Sequence, residues 1–137
     1  MEIRQPNKDY TSDHTIVYSC QYHVIFCPKY RRKVLVSGVD VRLKELIMQK
    51  QEEYGYQVLD MEVMADHVHL WLSCPPTVAS FQIVFRVKGR SSRKLRQEFP
   101  HLRRLSSLWT RSYFVGTAGT VSADTIRHSI EMQNQRA

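Results

Sequence analysis

Apolar residues recur at strand-like and helix-like spacings along most of the chain. Residues 15–27 are rich in Ile, Val, Tyr and Phe and lack a helix cap, which predicts a first strand that ends at Pro28. From Val39 to Tyr54 the apolar residues fall three and four positions apart, and Gly55 follows as a stop signal. This second segment is therefore predicted to be an amphipathic helix.

Two further strands and a broken helix are predicted in the middle of the chain. Residues 56–64 and 67–73 have strand composition, and the short polar hinge at residues 65–66 indicates that they form a hairpin. Residues 78–99 keep helical spacing, but Gly89 lies inside a basic run there. We expect this glycine to separate two short helices that meet at a basic elbow.

A last strand and a last helix complete the predicted order βαββαβα. The strand is expected over residues 112–117, and the helix over residues 122–136 with Ser122 as its N-cap. This order is typical of an α+β fold in which one antiparallel sheet carries helices on one face, as in ferredoxin-like and RRM-like domains. We expect a single domain over residues 15–137, preceded by a flexible N-terminal tail over residues 1–14.

The charge balance points to a polyanionic partner. The 137 residues include 20 Lys and Arg against 13 Asp and Glu, which gives a net charge of +7. Nucleic acid is the first candidate partner, and an anionic membrane surface is the second. No apolar run approaches the length of a membrane span and the N-terminus does not resemble a signal peptide, so we expect a soluble, cytoplasmic protein. The cysteines form no CxxC pair, which indicates neither a zinc site nor a disulfide framework.

The pattern His67-Val68-His69 is the sharpest local indication of chemistry. Residues i and i+2 of a strand point to one face, so the two imidazoles can share a cation while Val68 faces the core. Isolated histidine pairs of this kind are more often plain surface residues. On the predicted last helix, however, Gln133 lies in a polar stripe, and its amide oxygen with two imidazoles would suit Mg²⁺ or Mn²⁺.

Four segments carry a resemblance to a known family. They are YHVIFCPKYR at residues 22–31, MADHVHL at 64–70, KGRSSR at 88–93 and TIRHSIEMQ at 125–133. Together they closely resemble the transposase A proteins of small bacterial and archaeal insertion sequences, which are HUH single-tyrosine transposases. The resemblance runs in the right order over almost the whole chain, from about residue 16.

The resemblance implies a homodimer that recognises imperfect hairpins at the ends of a single-stranded element. Such proteins cut and rejoin DNA through a 5′-phosphotyrosine, with a divalent metal, Mg²⁺ or Mn²⁺, and with no nucleotide cofactor. The family's metal ligands, two histidines and a glutamine of the last helix, correspond to His67, His69 and Gln133. The catalytic tyrosine lies one helical turn before the glutamine, where this chain has Ser129. The resemblance leaves open whether this helix acts in its own subunit or in its partner.

Serine at this position changes the expected chemistry. A serine hydroxyl is much less acidic than a tyrosine hydroxyl, and it is held closer to its own backbone. We expect DNA binding without cleavage, because a polarised phosphate still needs a positioned nucleophile. A substitution made to trap DNA complexes, a decayed or domesticated copy, and a variant with another nucleophile all remain open. Tyr113 is the nearest upstream tyrosine, but a sheet or core role is the stronger interpretation for it.

Two basic clusters are candidates for DNA contact, one after the first strand and one around Gly89. A charge run is more often a solvated face, but the family resemblance and the aromatic ring of Tyr30 favour DNA here. Backbone amides near Gly89 could add donors to phosphates. The predicted DNA-binding residues are Lys29, Tyr30, Arg31, Arg32, Lys88, Gly89, Arg90, Ser91, Arg93 and Lys94.

Two other functions compete with an active transposase. One is a nonenzymatic DNA hairpin-binding protein, such as a domesticated repressor or regulator, and restoring tyrosine at Ser129 would discriminate it. The other is an RRM-like RNA-binding module, which needs aromatic side chains that stack bases on the sheet. Tyr18, Tyr22 and Phe26 share one strand face by their spacing, but a protein core explains them equally well.

Overall fold

The computed structural model describes residues 11–12, 17–18, 20–117, 130 and 133. Its strands are β1 (Thr11–Ser12), β2 (Val17–Tyr18), β3 (Gln21–Phe26), β4 (Gln57–Met64), β5 (His67–Ser73) and β6 (Phe114–Thr117). Its α-helices are α1 (Val39–Gln49), α2 (Gln51–Tyr54) and α3 (Ser80–Glu98), and short 3-10 turns cover Lys29–Arg31 and Pro100–Arg104.

Strands β3 and β5 are the centre of a four-stranded antiparallel sheet in the order β4-β5-β3-β6. Helices α1 and α3 pack together on one face of this sheet and bury a shared apolar core. The predicted α+β fold, an antiparallel sheet with helices, is thereby confirmed. The predicted first strand is split into β2 and β3, and β2 pairs with β1, which lies inside the predicted N-terminal tail.

Side chains alternate between the two faces of the central strands. On the helix-covered face, Val24, Phe26, Val68 and Leu70 are at most 1% exposed, which confirms the expectation that Val68 faces the core. Phe26 belongs to this core and Tyr22 packs against it, so these aromatic rings are not free to stack bases. The opposite face carries the two histidines of the HxH pattern, because they have the other parity on β5.

Local signals placed the first helix and the hairpin correctly. The helix from Val39 breaks briefly at Lys50 between α1 and α2, and it ends at Gly55, whose φ of 77° is the left-handed value that glycine favours at a helix end. The hairpin of β4 and β5 turns at residues 65–66, with Met64 paired to His67. Both assignments follow from patterns within the chain.

Helix α3 is continuous through Gly89, so the predicted break at this glycine is wrong. A helical glycine costs about 1 kcal/mol relative to alanine, which packing along the rest of the helix outweighs. That packing comes from a buried stripe of Ile83, Val84, Val87, Ser91 and Leu95. Phe81 and Phe85, which contribute to the helical spacing of apolar residues in this segment, are exposed.

The last helix lies outside the described residues, apart from Ile130 and Gln133, which are both helical. Ile130 is 8% exposed and packs with Ile25 and Cys27 on the face of the sheet opposite α1 and α3. Ser129, Ser122 and the rest of the predicted helix over residues 122–136 are among the residues that are not described.

We expect Gly89→Ala to stabilise the protein by about 0.5–1 kcal/mol, measured by urea unfolding. A Cβ at Gly89 would meet nothing within 4 Å, and the position is helical. The matched control is Gly55→Ala, which should destabilise, because Gly55 has a positive φ and its Cβ would lie 3.2 Å from Cγ2 of Val78. Loss of stability in Gly89→Ala would contradict a continuous α3.

Candidate functional site

The antiparallel pairing of β4, β5 and β3 places both histidines on the open face of the sheet, next to residues of the two neighbouring strands. His69 on β5 is paired with Ile25 of β3 on one side and with Glu62 of β4 on the other. His67 is paired with Met64, and its ring centroid lies 4.9 Å from that of His69. Both imidazoles therefore belong to one patch, as the i, i+2 spacing predicts.

Gln133 lies against the strand that neighbours His69. Its side chain is 2% exposed, and its Nε2 donates a hydrogen bond of 3.1 Å to the carbonyl of Ile25, the cross-strand partner of His69. Gln133 is therefore held on the strand that pairs with the strand of His69. Among the described residues, neither Oε1 of Gln133 nor Nε2 of His69 has a hydrogen-bond partner, although both atoms are buried.

Asp66 fixes the orientation of His67. Its Oδ1 lies 2.7 Å from Nδ1 of His67, and its Oδ2 accepts a hydrogen bond of 2.6 Å from Arg31. Partial burial by itself would raise the pKa of Asp66, but the hydrogen bonds from His67 and Arg31 hold it below its ordinary value. The carboxylate therefore accepts a hydrogen bond from Nδ1–H of His67, which leaves Nε2 with its lone pair available to a ligand.

The electrostatics of His69 favour its neutral form. Burial lowers the pKa of His69, and the neighbouring His67 and His23 lower it further. A neutral imidazole can bind a metal, whereas an imidazolium cannot. Within the described residues no three His, Cys, Asp or Glu side chains are arranged to hold a metal ion. Gln133, whose Oε1 has no partner among the described residues, is a candidate for a third ligand beside the two imidazoles.

Nitrogen and amide oxygen ligands are compatible with Mg²⁺ or Mn²⁺, and three protein ligands leave positions open for phosphate oxygens. The unpartnered atoms of His69 and Gln133 fit such an ion, because a buried acceptor without a partner is costly unless something binds it.

Two other nucleophiles near this part of the fold do not suit attack. Cys27 is fully buried, and burial raises the pKa of its thiol to about 12. Tyr113 precedes β6 rather than lying in it, and its ring faces Nζ of Lys88 at 5.3 Å. It lines a cavity with α3 residues such as Phe85, whereas His69 lines a different one.

The first basic cluster forms an exposed turn. Tyr30 is 56% exposed, and the side chains of Lys29 and Arg32 lie 5.6 and 5.7 Å from its ring centroid. Nζ of Lys29 also donates to Oγ of Ser106. Arg31, in the same turn, has its guanidinium on Asp66. The cluster thus exposes one aromatic ring flanked by two cations to solvent, whereas Arg31 is bound to Asp66 beside the histidines.

Several residues of the second basic cluster make internal contacts. Nζ of Lys88 donates to the carbonyl of Thr110 at 2.6 Å, and burial lowers the pKa of this ammonium to about 8. Arg90 donates to the carbonyl of Leu46 at the end of α1, and Ser91 accepts a hydrogen bond from Nε1 of Trp109. These side chains hold α3 against its neighbours in the free protein.

Arginines on the outer side of α3 line an open groove of about 510 Å³ between this helix and the 3-10 turn Pro100–Arg104. We call it the arginine groove; its lining residues are Gly89, Ser92, Arg93, Arg96, Gln97 and Arg103. Lys94 is partly buried and does not line it. None of the helices in the described part of the chain combines the length and apolar character needed to cross a bilayer.

The sequence reading missed Asp66 as a site residue and treated it only as part of the hairpin turn. The available signal was an acidic residue directly before the HxH pattern, since metal-binding histidines commonly donate their second ring nitrogen to a carboxylate. Arg96 belongs to the second basic cluster of the sequence, and the role of Arg103 is undecided there. The sequence does not show that they form one surface, because they meet only through the packing of α3 on the following turn.

Comparisons with known proteins show the family of this chain. A family model described as Transposase IS200 like matches residues 16–133. The ISDra2 transposase TnpA of Deinococcus radiodurans is 37% identical over 123 residues, which are 88% of this chain and 88% of that protein. A crystal structure from D. radiodurans R1, described as a transposase, matches with a TM-score of 0.83 and 34% identity, over 90% of this chain and 97% of that chain.

A more distant match is the structure of a REP-associated tyrosine transposase bound to a REP hairpin. It has a TM-score of 0.53 and 14% identity, over 93% of this chain and 68% of that chain. At this identity the similarity shows the fold alone.

The contact with Asp66 predicts that neutral His67 carries its proton on Nδ1 in the free protein. Long-range ¹H–¹⁵N NMR, at a pH high enough to deprotonate the imidazole, reads the tautomer directly. Asp66→Ala should move His67 towards the Nε2–H tautomer, because the acceptor is lost. Glu62→Ala, which removes an exposed carboxylate beside His69, is the control and should leave His67 unchanged. Finding the Nε2–H tautomer in the unmodified chain would contradict the assigned hydrogen bond.

Proposed function

Because the chain belongs to the IS200-like transposase family, we propose that it binds DNA hairpins at the ends of a single-stranded insertion sequence. We further propose that His67, His69 and Gln133 hold Mg²⁺ or Mn²⁺ beside the bound strand. The observation that carries the proposal is that two buried atoms lack a hydrogen-bond partner among the described residues. They are Nε2 of His69, whose ring lies 4.9 Å from that of His67, and Oε1 of Gln133, whose amide is held on the neighbouring strand.

The protein residues prepare this site before any ion binds. Asp66 and Arg31 orient His67, while the Ile25 carbonyl holds the Gln133 amide through its Nε2. Each contact uses the atom that a metal does not need and leaves the ligand atom free. When bound, the cation acts as a Lewis acid that polarises the oxygens of the scissile phosphate.

Basic surfaces outside the site support the hairpin as partner. The net charge of +7 favours a polyanion through counterion release. The exposed cluster of Lys29, Tyr30 and Arg32 combines cations with a ring, and the arginine groove adds Arg93 on α3. The REP-associated transposase of similar fold is itself bound to a REP hairpin. Phosphate contacts of this kind position a nucleic acid without reading its sequence.

Several of the predicted DNA-binding side chains already have hydrogen-bond partners inside the free protein. Lys88, Arg90 and Ser91 have internal partners, so DNA would have to compete with those contacts. We therefore place the main phosphate contacts on the exposed Arg32 and Arg93 and on the half-buried Lys29. Gly89 lies inside helix α3, where its amide is used by the helix, so backbone donation there is not expected, and Arg31 and Lys94 are secondary contacts.

We also propose that this chain binds DNA but does not cut it, because Ser129 stands where the family has its nucleophilic tyrosine. A homodimer, with the last helix acting in either subunit, is part of the same proposal. The second candidate is a nonenzymatic hairpin-binding protein of the same family. Ser129 favours it, and the pKa of about 12 at the nearby Cys27 gives no substitute nucleophile at neutral pH.

The test is a cleavage assay on a labelled single-stranded hairpin with Mg²⁺ or Mn²⁺. We expect the unmodified chain to bind without cutting. Ser129→Tyr should attack the phosphorus through its phenolic oxygen, form a 5′-phosphotyrosine and release a 3′-hydroxyl. Adding His67→Ala to this variant should lower cleavage by about 100-fold or more, because a metal ligand is lost. Chelation of the metal should have the same effect.

The alternative outcomes separate the two candidates. Cleavage by the unmodified chain would show that another residue is the nucleophile. Binding without cleavage in Ser129→Tyr would favour the nonenzymatic hairpin-binding protein. Absence of hairpin binding in both forms would overturn the proposed function.

A further inference from the structure

A second cavity adjoins the histidine patch on the open face of the sheet. It has a volume of about 170 Å³ and is lined by His23, Asp60, Met61, Glu62, His69 and Trp71. One water molecule occupies about 30 Å³ in the liquid, so the cavity has room for a larger group. His69 belongs both to this lining and to the candidate metal site, so whatever fills the cavity lies beside the bound phosphate.

The floor of the cavity is aromatic. The ring of His23 lies 5.3 Å from the ring of His69 and 5.5 Å from the ring of Trp71, measured between centroids. Nε1 of Trp71 donates to Oε1 of Gln21, which uses the only polar group of the indole and fixes the ring. A fixed, partly exposed indole is a good surface for stacking a planar group, and bases stack on such rings whatever their sequence.

The rim of the cavity is acidic. Asp60 and Glu62 are both exposed, and register places them beside Trp71 and His69 respectively. Among the described residues neither carboxylate has an ion-pair partner; Asp60 accepts a hydrogen bond from the backbone of Met61. Two free carboxylates repel a phosphate, so the cavity does not suit the DNA backbone.

Carboxylates accept hydrogen bonds from the amino groups of bases. Asp and Glu side chains pair with N4 of cytosine in this way, and adenine N6 and guanine N2 are donors of the same kind. A second metal ion is the rival occupant, but the described residues contain no group of three suitable ligands at this place. Aromatic floor and acidic rim together fit an unpaired base that carries an amino group.

We propose that this cavity holds one unpaired base with an exocyclic amino group, cytosine, adenine or guanine, from the single strand that flanks the bound hairpin. The base stacks on Trp71 and His23, and its amino group donates to Asp60 or Glu62. This proposal rests on the proposed function, since it names how the same site holds the strand beside the metal. In this position the base fixes the register of the strand, which decides the phosphate that meets the histidines.

The test is a binding measurement, which does not depend on cleavage. Fluorescence anisotropy follows labelled hairpins whose single-stranded flank carries one abasic site, moved along the flank position by position, in Mg²⁺. One abasic position should lower affinity for the unmodified chain by about 10-fold, because one stacked base is lost. At that position cytosine, adenine and guanine should bind more tightly than thymine.

Three variants assign the effect to the cavity. In Trp71→Ala, an abasic site at the sensitive position should no longer lower the affinity for the hairpin. Trp71→Phe keeps a ring, so most of the loss of affinity at that position should remain. In Asp60→Asn combined with Glu62→Gln, the preference for bases with an amino group over thymine should fall while stacking persists. Circular dichroism of each variant confirms the fold.

The outcomes distinguish this proposal from the proposed function. If the hairpin without a flank binds but the abasic scan is flat, the base cavity is wrong and hairpin binding stands. If the sensitive position persists unchanged in Trp71→Ala, the base lies elsewhere and the proposal is overturned. If neither the hairpin nor the flanked hairpin binds, the proposed function and this proposal fall together.

Discussion

The hydrogen bond from the Gln133 amide to the carbonyl of Ile25 joins the last helix to the central strand next to His69. It uses the Nε2 of the glutamine and leaves the buried Oε1 without a partner in the described part of the chain. A buried acceptor of this kind costs about 1–3 kcal/mol when nothing binds it. Among the described residues Nε2 of His69 is in the same condition, so side chains from two different elements each keep a buried atom without a partner on neighbouring strands. We interpret this cost as the cost of preparing a ligand site.

Charge is distributed unevenly around this site. The chain is strongly basic, yet the open face of the sheet carries the carboxylates of Asp60 and Glu62, and the hairpin turn next to it carries that of Asp66. Asp66 is committed to His67 and Arg31, whereas the other two are exposed beside aromatic rings. In our proposals the cations on the outer surface attract the phosphates, and the carboxylates on the sheet bind a base beside the histidines. In this arrangement the phosphate contacts supply the affinity for DNA, and the contacts to a base set which nucleotide lies at the site.

Local patterns in the sequence predicted the elements that depend on nearby residues. The hairpin of β4 and β5, the end of the helix at Gly55 and the burial of Val68 follow from alternation and turn chemistry. Gly89 misled the prediction because a glycine signal is weak beside a packed stripe that includes Val87 and Leu95.

Tertiary partners could not be read from the chain alone. The pairing of Asp66 with Arg31 joins positions that are far apart in sequence, and so does the contact of Lys88 with Thr110. The family resemblance assigned His67, His69 and Gln133, and those assignments remain proposals that the geometry supports. The aromatic floor of Trp71 and His23 was missed, because only the antiparallel register brings these residues together.

The most direct test of the account is anomalous diffraction from crystals of the chain grown with saturating Mn²⁺. The account predicts one manganese peak bonded by Nε2 of His67, Nε2 of His69 and Oε1 of Gln133, with the Gln133 amide nitrogen still donating to Ile25. A peak held by other residues, or no peak on this face of the sheet, would contradict it.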